Sequence, residues 1–171
     1  MTKYAIHIAT VLVLSLGVHS NIFAQFINLQ IRVEPELSAT VEQDLSFGTL
    51  VSNYGRSEIQ LGDVNMGVFN IRAFYTQNLY IDLEYPDVLI NEDPENNDQI
   101  PIELFMAYNN RGNNNPANAN VLSGNNGLIS IHESTEADFD RKIWEEMYLY
   151  VYGSIDVGNI ANGVYSGDIV L

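Results

Sequence analysis

Apolar residues recur at every second position in this chain, in short runs separated by glycine, proline, asparagine and aspartate. Period two places alternate side chains on opposite faces of a strand, and no helix can bury such a pattern on one side. Leu79, Ile81 and Leu83 oppose Tyr80, Asp82 and Glu84, and Ile100, Ile102, Leu104 and Met106 repeat the spacing. Met147, Leu149 and Val151 alternate with Tyr148, Tyr150 and Tyr152, while Ile27, Leu29, Ile31 and Val33 alternate with Asn28, Gln30 and Arg32. Further strands are predicted at 37–41, 45–50, 58–61, 68–75, 127–132 and 164–171. The segment 135–146 is the one candidate for a helical turn. Strands spaced about ten residues apart, with turn chemistry between them, predict an all-β, antiparallel sandwich or barrel.

The first 24 residues carry one positive charge at Lys3, a short apolar centre and a small residue, Ala24, before Gln25. That is the three-part pattern of a secretory signal peptide, so residues 1–24 are expected to be removed and residues 25–171 to form one domain with no membrane span after cleavage. Export places the protein in the bacterial periplasm, on the cell surface or outside the cell. The chain has no cysteine, so its stability must come from a packed core. Hydrophobic residues make up 46% of it, which is sufficient for one. No Asn-x-Ser/Thr acceptor occurs, in keeping with a bacterial envelope protein. Seven basic against 22 acidic residues give a formal charge of -15, which excludes nucleic acid and anionic membrane as partners.

Little points to catalysis. Ser130, His132 and Glu133 lie close together, and Ser130 and His132 share a strand face. His132 is the one histidine beyond the leader, and there is neither a Gly-x-Ser-x-Gly elbow nor a cysteine nucleophile, so no enzyme is expected. Calcium is the one metal with suitable donors: the loop from Asp87 to Asp98 offers Asp93, Glu95 and Asp98, with Glu92 nearby. It lacks the glycine and distant glutamate of an EF-hand, and a solvated acidic loop is the simpler reading. Tyr148, Tyr150 and Tyr152 fall on one strand face, which suits either a glycan platform or packing beneath neighbouring structure. The asparagine-rich stretch 109–120 reads as a flexible surface connection.

Two stretches together resemble a known family. Leu45-Ser46-Phe47-Gly48-Thr49-Leu50 looks like its opening strand. Tyr150 to Val157, followed by Asn162 to Val170, looks like its closing pair. The family is the exported bacterial domain of unknown function 4402, akin to spore-coat-U and archaic chaperone-usher pilin subunits. The resemblance implies an immunoglobulin-like, pilin- or adhesin-like β-sandwich that serves as a structural or adhesive surface subunit with protein partners or self-association; the tyrosine face and acidic loop leave a secreted carbohydrate-binding or calcium-stabilised module, with a glycan as partner, as the alternative. The resemblance carries over no catalytic residue. It implies polymerisation by strand donation, for which Ile27, Leu29, Ile31 and Val33 are the candidate apolar face. This chain departs from the pattern at Tyr152, where the family commonly has a second glycine, and in a shorter final strand. Within Gly163 to Gly167, Tyr165 offers a buried ring whose hydroxyl can tie a corner.

Overall fold

A computed structural model describes residues 37–132 and 144–171, all within one compact unit, 35–171. The leader 1–24, the strand-donation residues Ile27, Leu29, Ile31 and Val33, and most of the helical-turn candidate lie outside the described residues. Regular structure within them is strand, apart from one 3-10 turn.

The strands are β1 (Leu37–Gln43), β2 (Gly55–Ile59), β3 (Gly67–Phe74), β4 (Asn78–Asp82), β5 (Val88–Asn91), β6 (Gln99–Asn109), β7 (Asn120–Val121), β8 (Asn126–Ser130), β9 (Trp144–Val157) and β10 (Tyr165–Ser166). The larger sheet runs β1-β3-β9-β6-β5-β10, and all its pairings are antiparallel. β9 organises it. One edge of β9 pairs along β6, from Asn109↔Tyr148 to Ile102↔Ile155. Its other edge pairs first with β3, from Phe74↔Trp144 to Gly67↔Val151, and then with β2, from Ile59↔Gly153 to Gly55↔Val157. β2 and β3 thus act as one long strand interrupted at residues 60–66. At the changeover stands Gly153, where a Cβ would collide with the carbonyl oxygen of Glu103 on β6, so only glycine allows β6 this close.

β4 and β8 form a separate two-stranded sheet, in register from Asn78↔Ser130 to Asp82↔Asn126. Alternation explains its position. Leu79, Ile81 and Ile129 point inward and are buried, while Tyr80 and Leu128, directly opposite one another, stand exposed. The inward set meets Ile71, Leu104, Met106, Met147, Leu149 and Val151 in the main core cluster. The small sheet therefore covers the half of the larger sheet's inner face where β9 pairs with β3.

Several expectations need correction. The predicted strand at 45–50 is irregular: Leu45, Phe47 and Leu50 turn inward as the alternation requires, but Gly48 adopts a left-handed φ of +70° and ends any extended run. The predicted strand at 164–171 is reduced to Tyr165–Ser166 on β5 and a single bridge from Val170 to Glu84. Gly167 marks the break, packed so closely on Pro86 that a Cβ would lie 2.8 Å from its Cγ. Residues 144–146, where the helical-turn candidate overlaps the strand expected over 144–152, belong to β9 as that strand requires. Val88–Asn91, read as loop after Pro86, is strand β5.

Candidate functional site

The other half of the inner face, where β9 pairs with β2, has no sheet above it. Its floor is Ile100, Leu104, Ile155 and Val157, all buried, with Ile102 and Leu89 half-buried beside them. Two irregular segments, 45–52 and 160–169, flank this floor and enclose a groove of about 600 Å³. The groove follows from the local sequence. Gly48 stops the first segment from pairing as a strand, and in the second pairing is limited to Tyr165–Ser166 on β5, with Gly167 packed against Pro86 beyond it.

The two lips are tied at one end. The Ser52 hydroxyl donates to the Ile160 carbonyl at 2.8 Å and accepts from the Ile160 N–H at 3.1 Å. Nearby, Asp98 accepts from the Ala161 N–H at 2.7 Å, and the Tyr165 hydroxyl donates to the Ala161 carbonyl at 2.9 Å. The corner role expected of the Tyr165 hydroxyl is thus filled, although the ring is half-buried rather than enclosed. Away from this clamp the lips keep backbone capacity: Phe47, Thr49 and Leu50 on one side, and Gly167, Asp168 and Ile169 on the other, donate to no backbone carbonyl among the described residues. An apolar floor between two unpaired backbones is what an extended peptide needs from a receptor, with side chains filling the floor and the main chain bonding the lips.

On the opposite face of β9, Tyr148, Tyr150 and Tyr152 do line up as expected, but they differ in access. Tyr150 is 0% exposed, flanked by Val68 and Ala107, and its hydroxyl donates to Asn114 Oδ1 at 3.1 Å. Burial pushes its pKa up to about 12. Tyr148 and Tyr152 are half-buried, and burial raises both; the carboxylates of Glu42 and Glu146 add to the rise at Tyr148. What covers Tyr150 is the asparagine-rich stretch, which is not a loose connection. Buried Asn109 donates to Asn113 Oδ1 and the Asn115 carbonyl and accepts from the Arg111 N–H. Asn115 caps the 3-10 turn Pro116–Asn118, and Asn114 reaches Glu42 on β1. Asparagine side chains can substitute for backbone partners in turns, and here they hold the loop down. Farther along the face, Trp144 stacks on Phe74 at 4.2 Å with Arg72 5.0 Å from its ring centroid.

The remaining candidates are dispersed. Ser130 donates to the backbone carbonyl of His132 at 3.1 Å. The imidazole of His132 lies instead 3.8 Å from Glu145. Glu133 lies outside the described residues. In the acidic loop the carboxylate of Asp93 accepts from the Glu95 N–H, and that of Asp98 from Ala161. Among the described residues no three His, Cys, Asp or Glu side chains converge on a point that could hold a metal. Among them, too, no helix is long and apolar enough to cross a membrane. Sequence reasoning missed Ser52, and it missed Asp98 as a lip anchor; a lone serine or aspartate facing a distant loop carries no periodic signal. No family model matches the chain, and no curated protein matches it.

Proposed function

We propose that this protein is an exported, non-catalytic structural or adhesive surface subunit with an immunoglobulin-like sandwich, and that it polymerises by strand donation. The groove between 45–52 and 160–169 accepts the segment from Phe26 to Val33 of a second copy. The observation that carries this reading is the apolar floor left without a covering strand between two lips with unpaired backbone. The donor fits that floor chemically, since Ile27, Leu29, Ile31 and Val33 present four apolar side chains on one face. Their burial contributes on the order of 6 to 12 kcal/mol gross, against an association cost of about 4 to 15 kcal/mol, so capture needs the main-chain bonds of the lips as well. The resemblance to spore-coat-U and chaperone-usher subunits points the same way.

The test uses the full chain with Leu29→Asp and Ile31→Asp together. The unmodified protein is expected to form concentration-dependent oligomers and the variant to stay monomeric. A peptide spanning Gln25 to Glu34 is expected to bind the variant and slow amide exchange at 45–52 and 164–169. Oligomers that survive the double substitution, or a peptide that leaves exchange at both lips unchanged, would overturn the reading.

A further inference from the structure

Two Asn-Gly steps occur in the sequence, Asn126-Gly127 and Asn162-Gly163, and both asparagines are exposed. The fold treats them differently. Asn126-Gly127 opens β8, where Leu83 N–H donates to the Asn125 carbonyl and Ile131 N–H to the Gln77 carbonyl. In an antiparallel ladder hydrogen-bonded pairs recur every second residue, so Ile81 and Gly127, lying between those pairs, also exchange bonds and the Gly127 N–H is occupied. Asn162-Gly163 instead bridges two anchors on the groove lip. Ala161 is held at its N–H by Asp98 and at its carbonyl by Tyr165, and the Val164 carbonyl accepts from the Glu92 N–H. Between these fixed points the Gly163 N–H donates to no backbone carbonyl among the described residues. Glycine fits closely there, because a Cβ at 163 would displace the side-chain amide of buried Asn91. The fold thus places the Asn-Gly step at an exposed position where the Gly163 N–H carries no backbone bond among the described residues.

We propose that Asn162 is a selective site of spontaneous deamidation in the folded protein. The Gly163 backbone nitrogen loses its proton to solvent base and attacks Asn162 Cγ; the new N–C bond closes a succinimide and the side-chain nitrogen leaves as ammonia. Water then opens the ring at either carbonyl, giving aspartate or isoaspartate at position 162. Each event adds one negative charge to a lip that Asp98 anchors through Ala161. The isoaspartate route also lengthens the backbone by one methylene between Ala161 and Val164, which moves Gly163 off the Asn91 amide. The chemistry itself requires no occupant in the groove.

The full chain, folded, is incubated at mildly alkaline pH and followed by peptide mapping with mass spectrometry, aspartate and isoaspartate being separated chromatographically. Asn126 in the same molecule is the internal control, and a parallel sample in denaturant gives the rates without structure. Ammonia loss in the folded chain is expected at Asn162 at least about tenfold faster than at Asn126, since reaction at Asn126 waits on local opening of the strand pair. In denaturant the two rates should converge. Asn162→Gln should remove the main acidic species from ion exchange while leaving the thermal transition in place. Equal rates at the two sites in the folded chain, or an Asn162 that stays intact while the denatured chain reacts, would overturn the proposal.

Discussion

The inner face of the large sheet has two halves built from the same kind of residue and finished in different ways. Over Met147, Leu149 and Val151 the chain lays a second sheet, and those side chains are 0% exposed. Over Ile155, Val157 and Ile100 it lays two irregular segments, and the same strand types are left 4 to 5% exposed around a cavity. The difference lies in glycine placement rather than in hydrophobicity. Leu45, Phe47 and Leu50 are as apolar as Leu79 and Ile81, but Gly48 interrupts the first group, whereas the second runs unbroken through five residues of ladder. One half is covered by a second sheet, and the other is bounded by two irregular segments around a groove.

The most direct way to break this contrast is to truncate one side chain in each half. Leu149→Ala removes a fully buried side chain from a close-packed region and is expected to cost about 3 to 4 kcal/mol in urea unfolding. Ile102→Ala, beside the groove, is expected to cost less than about 2 kcal/mol, because part of its surface already faces the cavity. Equal losses would mean that the groove floor is packed as tightly as the closed half.

The alternation that fixes the closed half was legible from residue order alone: 79–85, 127–132 and 144–152 were read as strands, and β4, β8 and β9 stand there with the expected faces inward. The open half was harder, for physical reasons. The stretches 45–50 and 164–171 carry strand periodicity, and what overrides it is backbone conformation at Gly48 and close packing at Gly167, neither of which shows in the spacing of apolar residues. The hydrogen bonding of the asparagine-rich stretch was not legible for the opposite reason. It has no periodicity, and its order comes from individual side-chain bonds such as Asn109 to Asn115 and Asn114 to Tyr150. The tyrosine face was predicted as a set, but which ring is covered depended on that loop.

Alkaline pH sharpens the comparison between the two faces of β9. Tyr150 ionises near 10 when unfolded and near 12 when folded, because burial disfavours the phenolate. The folded state therefore keeps a proton that the unfolded state has released. The stabilisation is complete below pH 10 and disappears as pH rises through about 12, a loss of about 2 kcal/mol. Tyr148 and Tyr152 act in the same direction. Tyr150→Phe should lose about 1 kcal/mol at neutral pH, for the bond to Asn114, and most of the alkaline slope. If the slope stays the same in the Phe variant, Tyr150 is not the group responsible.

At the groove, Ser52→Ala removes both bonds that join the lips. The site is exposed, so the stability cost should be no more than about 1 kcal/mol. Its informative readout is local: amides of 45–52 and 160–164 should exchange faster while those of β4 and β8 do not change. Parallel acceleration in the small sheet would show that the two halves open together and that the lips are not an independent unit.

The smallest expected effect concerns calcium. Asp93, Glu95 and Asp98 share a loop of hard oxygen donors, yet the fold has already given two of them other work. Asp93 accepts from the Glu95 backbone and Asp98 from Ala161 across the groove end. The Oδ2 of Asp98 is shared with the Ala161 N–H, so a cation would be left chiefly its other oxygen, and the lip is held by Tyr165 as well. Gathering six or more oxygens, as calcium requires, would need further ligands from residues that do not converge here. A chelator should therefore leave the thermal midpoint where it was, within the change expected for about 0.5 kcal/mol, and added calcium should do no more than screen the acidic surface. Magnesium at equal ionic strength separates the two effects, since screening does not distinguish the ions and a coordinating site does. A midpoint that rises with calcium and not with magnesium, and that falls back in Asp93→Asn, would place a calcium site in this loop, beside the hydrogen bonds of Ser52, Asp98 and Tyr165 that tie the groove end.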